Sequence, residues 1–171
     1  MNSKKQIIDA FTYLLRTTPY DQIKINDICK QAKVSRQTFY AHYSNKDEVF
    51  QLFHSEMLFS KCIDKMTSID YFYSDEFILN IFNFYDEWSD LYKGLRKWDL
   101  LPYLSSHALV FIMNQIEQIT QNPMIINHLS YFLSYVYEPI TAIAMKWIEN
   151  GKKESVEELL EMIKSFKKYS V

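Results

Sequence analysis

Catalysis or metal binding in this chain would rest on four histidines and two cysteines, and their spacing supports neither. Cys29 and Cys62 stand far apart, outside any CxxC, with no histidine cluster beside them. They form neither a zinc ligand set nor a disulfide framework, and read as reduced structural thiols. His54, His107 and His128 are isolated from one another and from any carboxylate at ligand spacing. There is no GxSxG and no HExxH, and two glycines leave no room for a glycine-rich phosphate loop. Glu138, next to Tyr137 in an apolar stretch, is the one candidate for a buried acid. The expectation is a protein that is not an enzyme and carries no cofactor and no metal.

What remains is recognition chemistry. The segment Ile23-Lys-Ile-Asn-Asp-Ile-Cys-Lys-Gln-Ala-Lys-Val-Ser-Arg-Gln-Thr-Phe-Tyr-Ala-His-Tyr-Ser-Asn-Lys46 is rich in basic and amide side chains. Residues 1–50 hold eight Lys/Arg against five Asp/Glu, a net of +3, and the remainder holds 11 against 16, a net of −5. A basic front on an acidic body suits a partner that is a polyanion.

The elements that must position these side chains are helical. Gly is rare (2) and Pro scarce (4), which argues against a turn-rich β fold. Ile7, Phe11, Leu14 and Leu15 share one face of a helix over 3–16, which Pro19 ends. Ile25, Ile28, Cys29 and Ala32 make a second helix over 25–32. Ser35 is placed to cap a third over 36–43, and Ser44 with Asp47 has capping-box spacing for a fourth reaching about 68. Two short helices joined by a tight turn are the helix-turn-helix, in which the second enters the major groove with its first residues at base edges. Ile28, Val34 and Phe39 are expected to hold the pair to the first helix. Further helices are predicted over 74–92, 100–121 and 123–150, the last kinked at Pro139 and ended by Gly151, and a final one after the capping box Ser155-Val156-Glu157-Glu158. Asp9 and Arg16 interrupt any signal-peptide pattern after Lys4-Lys5. The apolar window 131–148 contains Glu138, Pro139 and Lys146 and reads as a buried helix, so no membrane contact is expected and the cytoplasm is the expected location.

Over about residues 4–58 the chain resembles the tetracycline-repressor (TetR) family of regulators. The likeness rests on the apolar first helix, on Ile28-Cys29…Ala32-Lys33-Val34-Ser35, on Thr38-Phe39-Tyr40-x-His42-Tyr43, and on Asn45-Lys46-Asp47-Glu48. It departs from the family at Lys33, where Gly is usual, at Gln37, where a small residue is common, and at Lys24, where a Thr cap is common. The resemblance implies an all-α fold with a helix-turn-helix DNA-binding domain over 1–46 and a helical regulatory and dimerisation domain over 47–171. It implies that Arg36 and Gln37 reach base edges, that Thr38 meets a phosphate or a thymine methyl, and that Tyr40, His42 and Lys46 hold phosphates with Asn26 near the backbone. Tyr43 reads as a core residue. The pattern Tyr137-Glu138-Pro139…Trp147-Ile148-Glu149-Asn150-Gly151…Ser155-Val156-Glu157-Glu158-Leu159 resembles a subgroup of the family found in Firmicutes, one group of which activates dihydroxyacetone use.

Aromatics make up 16% of the chain and crowd its middle third. They read either as packing or as the wall of a pocket for a small-molecule effector, with Phe82, Tyr85, Trp88, Tyr103, Phe111, Tyr135 and Glu138 as candidates. A homodimer is expected because two modules must read two half-sites about 34–36 Å apart. Tyr131, Ala142, Ile143, Trp147, Leu159, Leu160 and Ile163 are the interface candidates. The expected function is DNA-binding transcription regulation, with repression of an operator released by the effector. The alternative is a coactivator of the same fold that acts through a protein partner.

Overall fold

The computed structural model describes residues 3–97 and 101–168, and all their regular elements are helical. Helix α1 (Ser3–Thr17) buries Ile7, Ala10, Phe11 and Leu15 along one face and lays it on α2 (Ile25–Ala32), whose Ile28, Cys29 and Ala32 are buried in return. α2 ends at Lys33, which takes the left-handed conformation at φ 55° and ψ 42°. The Val34 N–H then donates back to the Cys29 carbonyl at 3.0 Å, the Schellman closure. Ser35 caps α3 (Arg36–Tyr40), its hydroxyl accepting from the Thr38 N–H at 3.0 Å. α3 stops at Tyr40 rather than 43. The turn that follows packs the Tyr43 ring beside Phe39, 5.8 Å between centroids, in the core.

The cap of α4 (Lys46–Leu58) sits one residue later than Ser44–Asp47 spacing predicts. Asn45 Oδ1 accepts from the Glu48 N–H at 2.9 Å, and the Glu48 carboxylate accepts from the Ser44 N–H at 2.7 Å. α4 does not run on to 68. It widens into a π turn over Phe59–Ile63, and the extra residue rotates Cys62 and Ile63 into the core alongside Leu58. A 3₁₀ turn over Ile69–Tyr73 leads to α5 (Asp75–Glu87) and α6 (Ser89–Lys97). The single helix predicted over 74–92 is thus broken at Trp88, where the backbone leaves the helical region and the indole packs on Phe53 at 5.1 Å. α7 (Leu101–Ile119) follows and packs on α4. The long helix predicted over 123–150 is three pieces: α8 (Pro123–Ile126), α9 (Leu129–Val136) and α10 (Glu138–Glu149). Pro139 near the start of α10 has no N–H to continue from α9, so the kink becomes a break. Gly151, at φ 84°, ends α10, and the Ser155–Glu158 capping box opens α11 (Val156–Lys167).

Part of the expected pocket and part of the expected interface are interior. Phe82, Tyr85 and Trp88 are packed in the core, where Phe82 meets Trp147 edge-on at 6.0 Å. Tyr135 and Glu138 point outward, 73% of Tyr135 being exposed. Glu138 is in the first turn of α10, where the helix dipole favours a carboxylate in water, rather than a buried acid. The candidate pocket residues therefore do not enclose one space, and the side chain of Tyr103 lies outside the described residues. Of the interface candidates, Trp147, Leu159, Leu160 and Ile163 are buried by their own chain, because α11 packs on α5. Tyr131 and Ala142 remain exposed and Ile143 half-buried.

A polar relay runs through this aromatic core. His54 of α4, fully buried, sits with Nε2 2.6 Å from the Tyr92 hydroxyl of α6, and Tyr92 meets Tyr85, which also bonds Tyr137. Burial pushes the His54 ring down to about 4 from the ordinary 6.5. Between those values only the unfolded chain takes the proton, so stability is complete above pH 6.5, falls as the pH drops towards 4, and levels off below. At ~1.4 kcal/mol per pH unit the loss is about 3 kcal/mol. Urea melts at stepped pH should show this slope in the natural chain and a flatter one in His54→Gln, and equal slopes would remove His54 as the cause. At the other end of the molecule, Lys33→Gly relieves a side chain in the left-handed region. It should stabilise the fold by up to about 1 kcal/mol in thermal melts, after the entropy that glycine gives to the unfolded state.

Candidate nucleic-acid interface

The core under α1, α2 and α3 fixes which side chains face out. Ile28 and Phe39 have no exposed surface, and Val34 of the turn packs against the core. With that face buried, Asn26, Arg36, Gln37, Tyr40 and His42 are exposed and Thr38 is half-buried. Six of the seven residues singled out from the sequence thus share the outer side of one short supersecondary unit.

Arg36 is held before any partner arrives. Its Nη1 donates to Asn26 Oδ1 at 2.7 Å, its Nη2 donates to the Tyr40 hydroxyl at 3.3 Å, and its guanidinium carbon is 5.7 Å from the Tyr40 ring centroid. A guanidinium braced on one side presents its remaining N–H groups in a fixed fork, which matches the paired acceptors of a guanine edge or a phosphate. Thr38 is tied to the cap, its hydroxyl 2.9 Å from that of Ser35. His42 is linked to the start of α1, with Nε2 2.6 Å from the Ser3 hydroxyl. Sequence reasoning missed Ser3, since nothing in its local pattern marks a contact with a residue so distant in the chain.

Lys46 differs from the other six. Its ammonium points inward and donates to the carbonyls of Tyr20 at 2.8 Å and Ile23 at 3.1 Å, above the Tyr20 ring. Burial lowers its pKa, with Asp47 and Asp21 opposing that shift. Tyr20 is a second residue the sequence did not reveal: it joins this cluster through its hydroxyl, which donates to Asp47. Lys46 therefore clamps the turn between α1 and α2 to the start of α4, and at most one of its three N–H donors is left for a phosphate. Lys46→Met strands two carbonyls and should lower stability by about 1–2 kcal/mol in urea melts. Unchanged stability would return Lys46 to the outer surface.

No group of three or more His, Cys, Asp or Glu among the described residues is arranged to hold a metal ion, and no described helix is long and apolar enough to cross a membrane. The comparison with known proteins agrees with this geometry. Residues 7–52 match the family model "Bacterial regulatory proteins, tetR family". A stretch of 55 residues is 40% identical to the HTH-type dhaKLM operon transcriptional activator DhaS of Lactococcus lactis subsp. lactis (strain IL1403), covering 29% of this chain and 29% of that relative. A solved structure described as dihydroxyacetone kinase operon activator DhaS superposes with a TM-score of 0.60 over 96% of this chain and 93% of that one, at 23% identity, and so shares the fold. Residues 7–52 thus carry a segment similar to the helix-turn-helix region of the tetR family of bacterial regulatory proteins.

Proposed function

We propose that the protein is a DNA-binding transcription regulator that acts as a homodimer in the cytoplasm. Residues 1–46 serve the DNA, and residues 47–171 serve regulation and pairing. The observation that carries this reading is the braced Arg36 on the exposed side of α3, beside Gln37, Tyr40 and His42. Arg36 and Gln37 read bases. Asn26, Thr38, Tyr40 and His42 set register on the phosphates, with a lesser share from Lys46. The outward Tyr131 and Tyr135 of α9, 76% and 73% exposed, with Ala142 of α10, support a two-fold pairing face there.

The sign of regulation has two readings. Repression needs no contact beyond the operator, since a dimer seated on a promoter blocks it, and a small-molecule effector then releases it by favouring a state whose recognition helices are wrongly spaced. Activation is supported by the likeness to the Lactococcus lactis relative, a transcriptional activator. A promoter fusion in a strain lacking the gene separates them, because expression rises on deletion of a repressor and falls on deletion of an activator.

DNA binding itself is tested by fluorescence anisotropy on the DNA upstream of the gene, at several salt concentrations. Site-specific binding with a steep salt dependence is expected. Arg36→Ala should weaken it by ~1–3 kcal/mol, about 5–150-fold, and leave thermal stability unchanged because the side chain is exposed. Binding of the natural chain only at the non-specific level, roughly 10⁻⁴–10⁻⁶ M, would favour a coactivator that works through a protein partner.

A further inference from the structure

Asn26, Arg36 and Tyr40 meet where two capped helix ends come together. Asn26 lies in the first turn of α2, which Asp27 closes by accepting from the Lys24 N–H at 3.1 Å. Arg36 opens α3 directly after the Ser35 cap, and Tyr40 follows one turn later on the same face. The two helices pack on one another and bury Ile28 of the first and Phe39 of the second. Their separation is therefore fixed by the core, and it brings the Asn26 amide to 2.7 Å from Arg36 Nη1.

Arginine only donates, so the Asn26 atom that faces it is the carbonyl oxygen, and the Tyr40 oxygen beside Nη2 likewise accepts. Asn26 keeps both amide N–H donors and Tyr40 keeps its hydroxyl proton, and both side chains are exposed. Arg36 gives two of its five N–H groups to this pair and keeps three. The same two side chains thus hold the guanidinium with their acceptors and can hold phosphates with their donors.

We propose that Asn26 is a positioning residue for base reading. It aims the Arg36 fork at the guanine edge of one operator base pair, so sequence preference at that pair depends on a side chain of α2. The inference rests on the DNA-binding reading above and gives Asn26 a role beside its phosphate contact. A guanidinium ordered in advance loses less freedom on docking. A loose one turns to other acceptors along the groove, which weakens the right base and spares the wrong ones.

The test is fluorescence anisotropy of the full chain on the operator duplex, located by footprinting upstream of the gene, and on duplexes that each change one of its base pairs. The readout is the ratio of affinities for operator and changed duplex, which a merely structural role does not move. Arg36→Ala identifies the pair that Arg36 reads, as the one whose change is no longer felt. Asn26→Ala should lower the ratio at that pair by about 2–12-fold, the cost of ordering one such side chain, with the melting temperature unchanged. In the Arg36→Ala background the same substitution should leave the ratio as it is. Asn26→Asp keeps the acceptor and drops the donors, so the ratio should survive while affinity for every duplex falls together. Asn26→Ala that weakens all duplexes alike, an equal loss of ratio with Arg36 absent, or an equal loss in Asn26→Asp would each overturn the positioning role and leave DNA binding standing. If Arg36→Ala identifies no pair, the role falls in the same way. A natural chain that protects no site and binds every duplex alike overturns the DNA-binding reading and this inference with it.

Discussion

The fold depends on α4 facing two interiors at once. Phe50 and Phe53 close the core under α1, with Phe11 at 6.0 and 6.4 Å from their ring centroids, while Phe53 also meets Trp88, and His54 meets Phe84 and Tyr92. The result is an unbroken run of rings from the first helix into the body. Rings that touch edge-on are dense and stiff, and an interior packed to that density moves as a unit or repacks between discrete arrangements. The seat of α3 is thereby set by elements far from it. Arg16 reinforces the same junction, with its guanidinium 4.1 Å from the Trp88 ring centroid and an ion pair to Glu87 at 2.6 Å.

Around that axis the polar groups sort by how much water they keep. The helix-turn-helix surface holds its groups by short exposed contacts that a nucleic acid can replace or use, such as Asn26 to Arg36 and Ser3 to His42. The clamp beneath it, Lys46 on two carbonyls, is partly withdrawn from water and serves the fold. The His54–Tyr92 contact is fully withdrawn, and its ring must stay neutral. One type of interaction thus recurs at the exposed surface, at a junction and in the core, with burial as the variable that separates them.

The helix-turn-helix was legible in the sequence because its signals are local. The face of α2 follows from Ile25, Ile28, Cys29 and Ala32, and its end from Lys33-Val34-Ser35. Those residues fix a turn through backbone sterics and a cap within three positions. The start of α11 was legible for the same reason, a capping box readable in four residues. The body was less legible. A continuous apolar pattern says that a stretch is buried but not where it breaks, so the interruptions at Trp88, His128 and Tyr137 were hidden in helices that looked whole.

By itself the sequence determined the helical class, the helix-turn-helix and the side chains on its outer face, because periodicity, capping and turn chemistry act over a few residues. Only the tertiary structure decided which aromatic rings are core and which are surface. Phe82 and Tyr135 are alike in the sequence as large apolar rings in helices, and they differ because α10 covers one and Tyr135 stays exposed among the described residues. The tertiary structure also turned Lys46 inward, sent Trp147 and the face of α11 into the chain's own interior, and opened a cavity beside Tyr43. Each of these depends on residues remote in the chain meeting in space, and burial, desolvation and hydrogen-bond satisfaction are defined only once they have met.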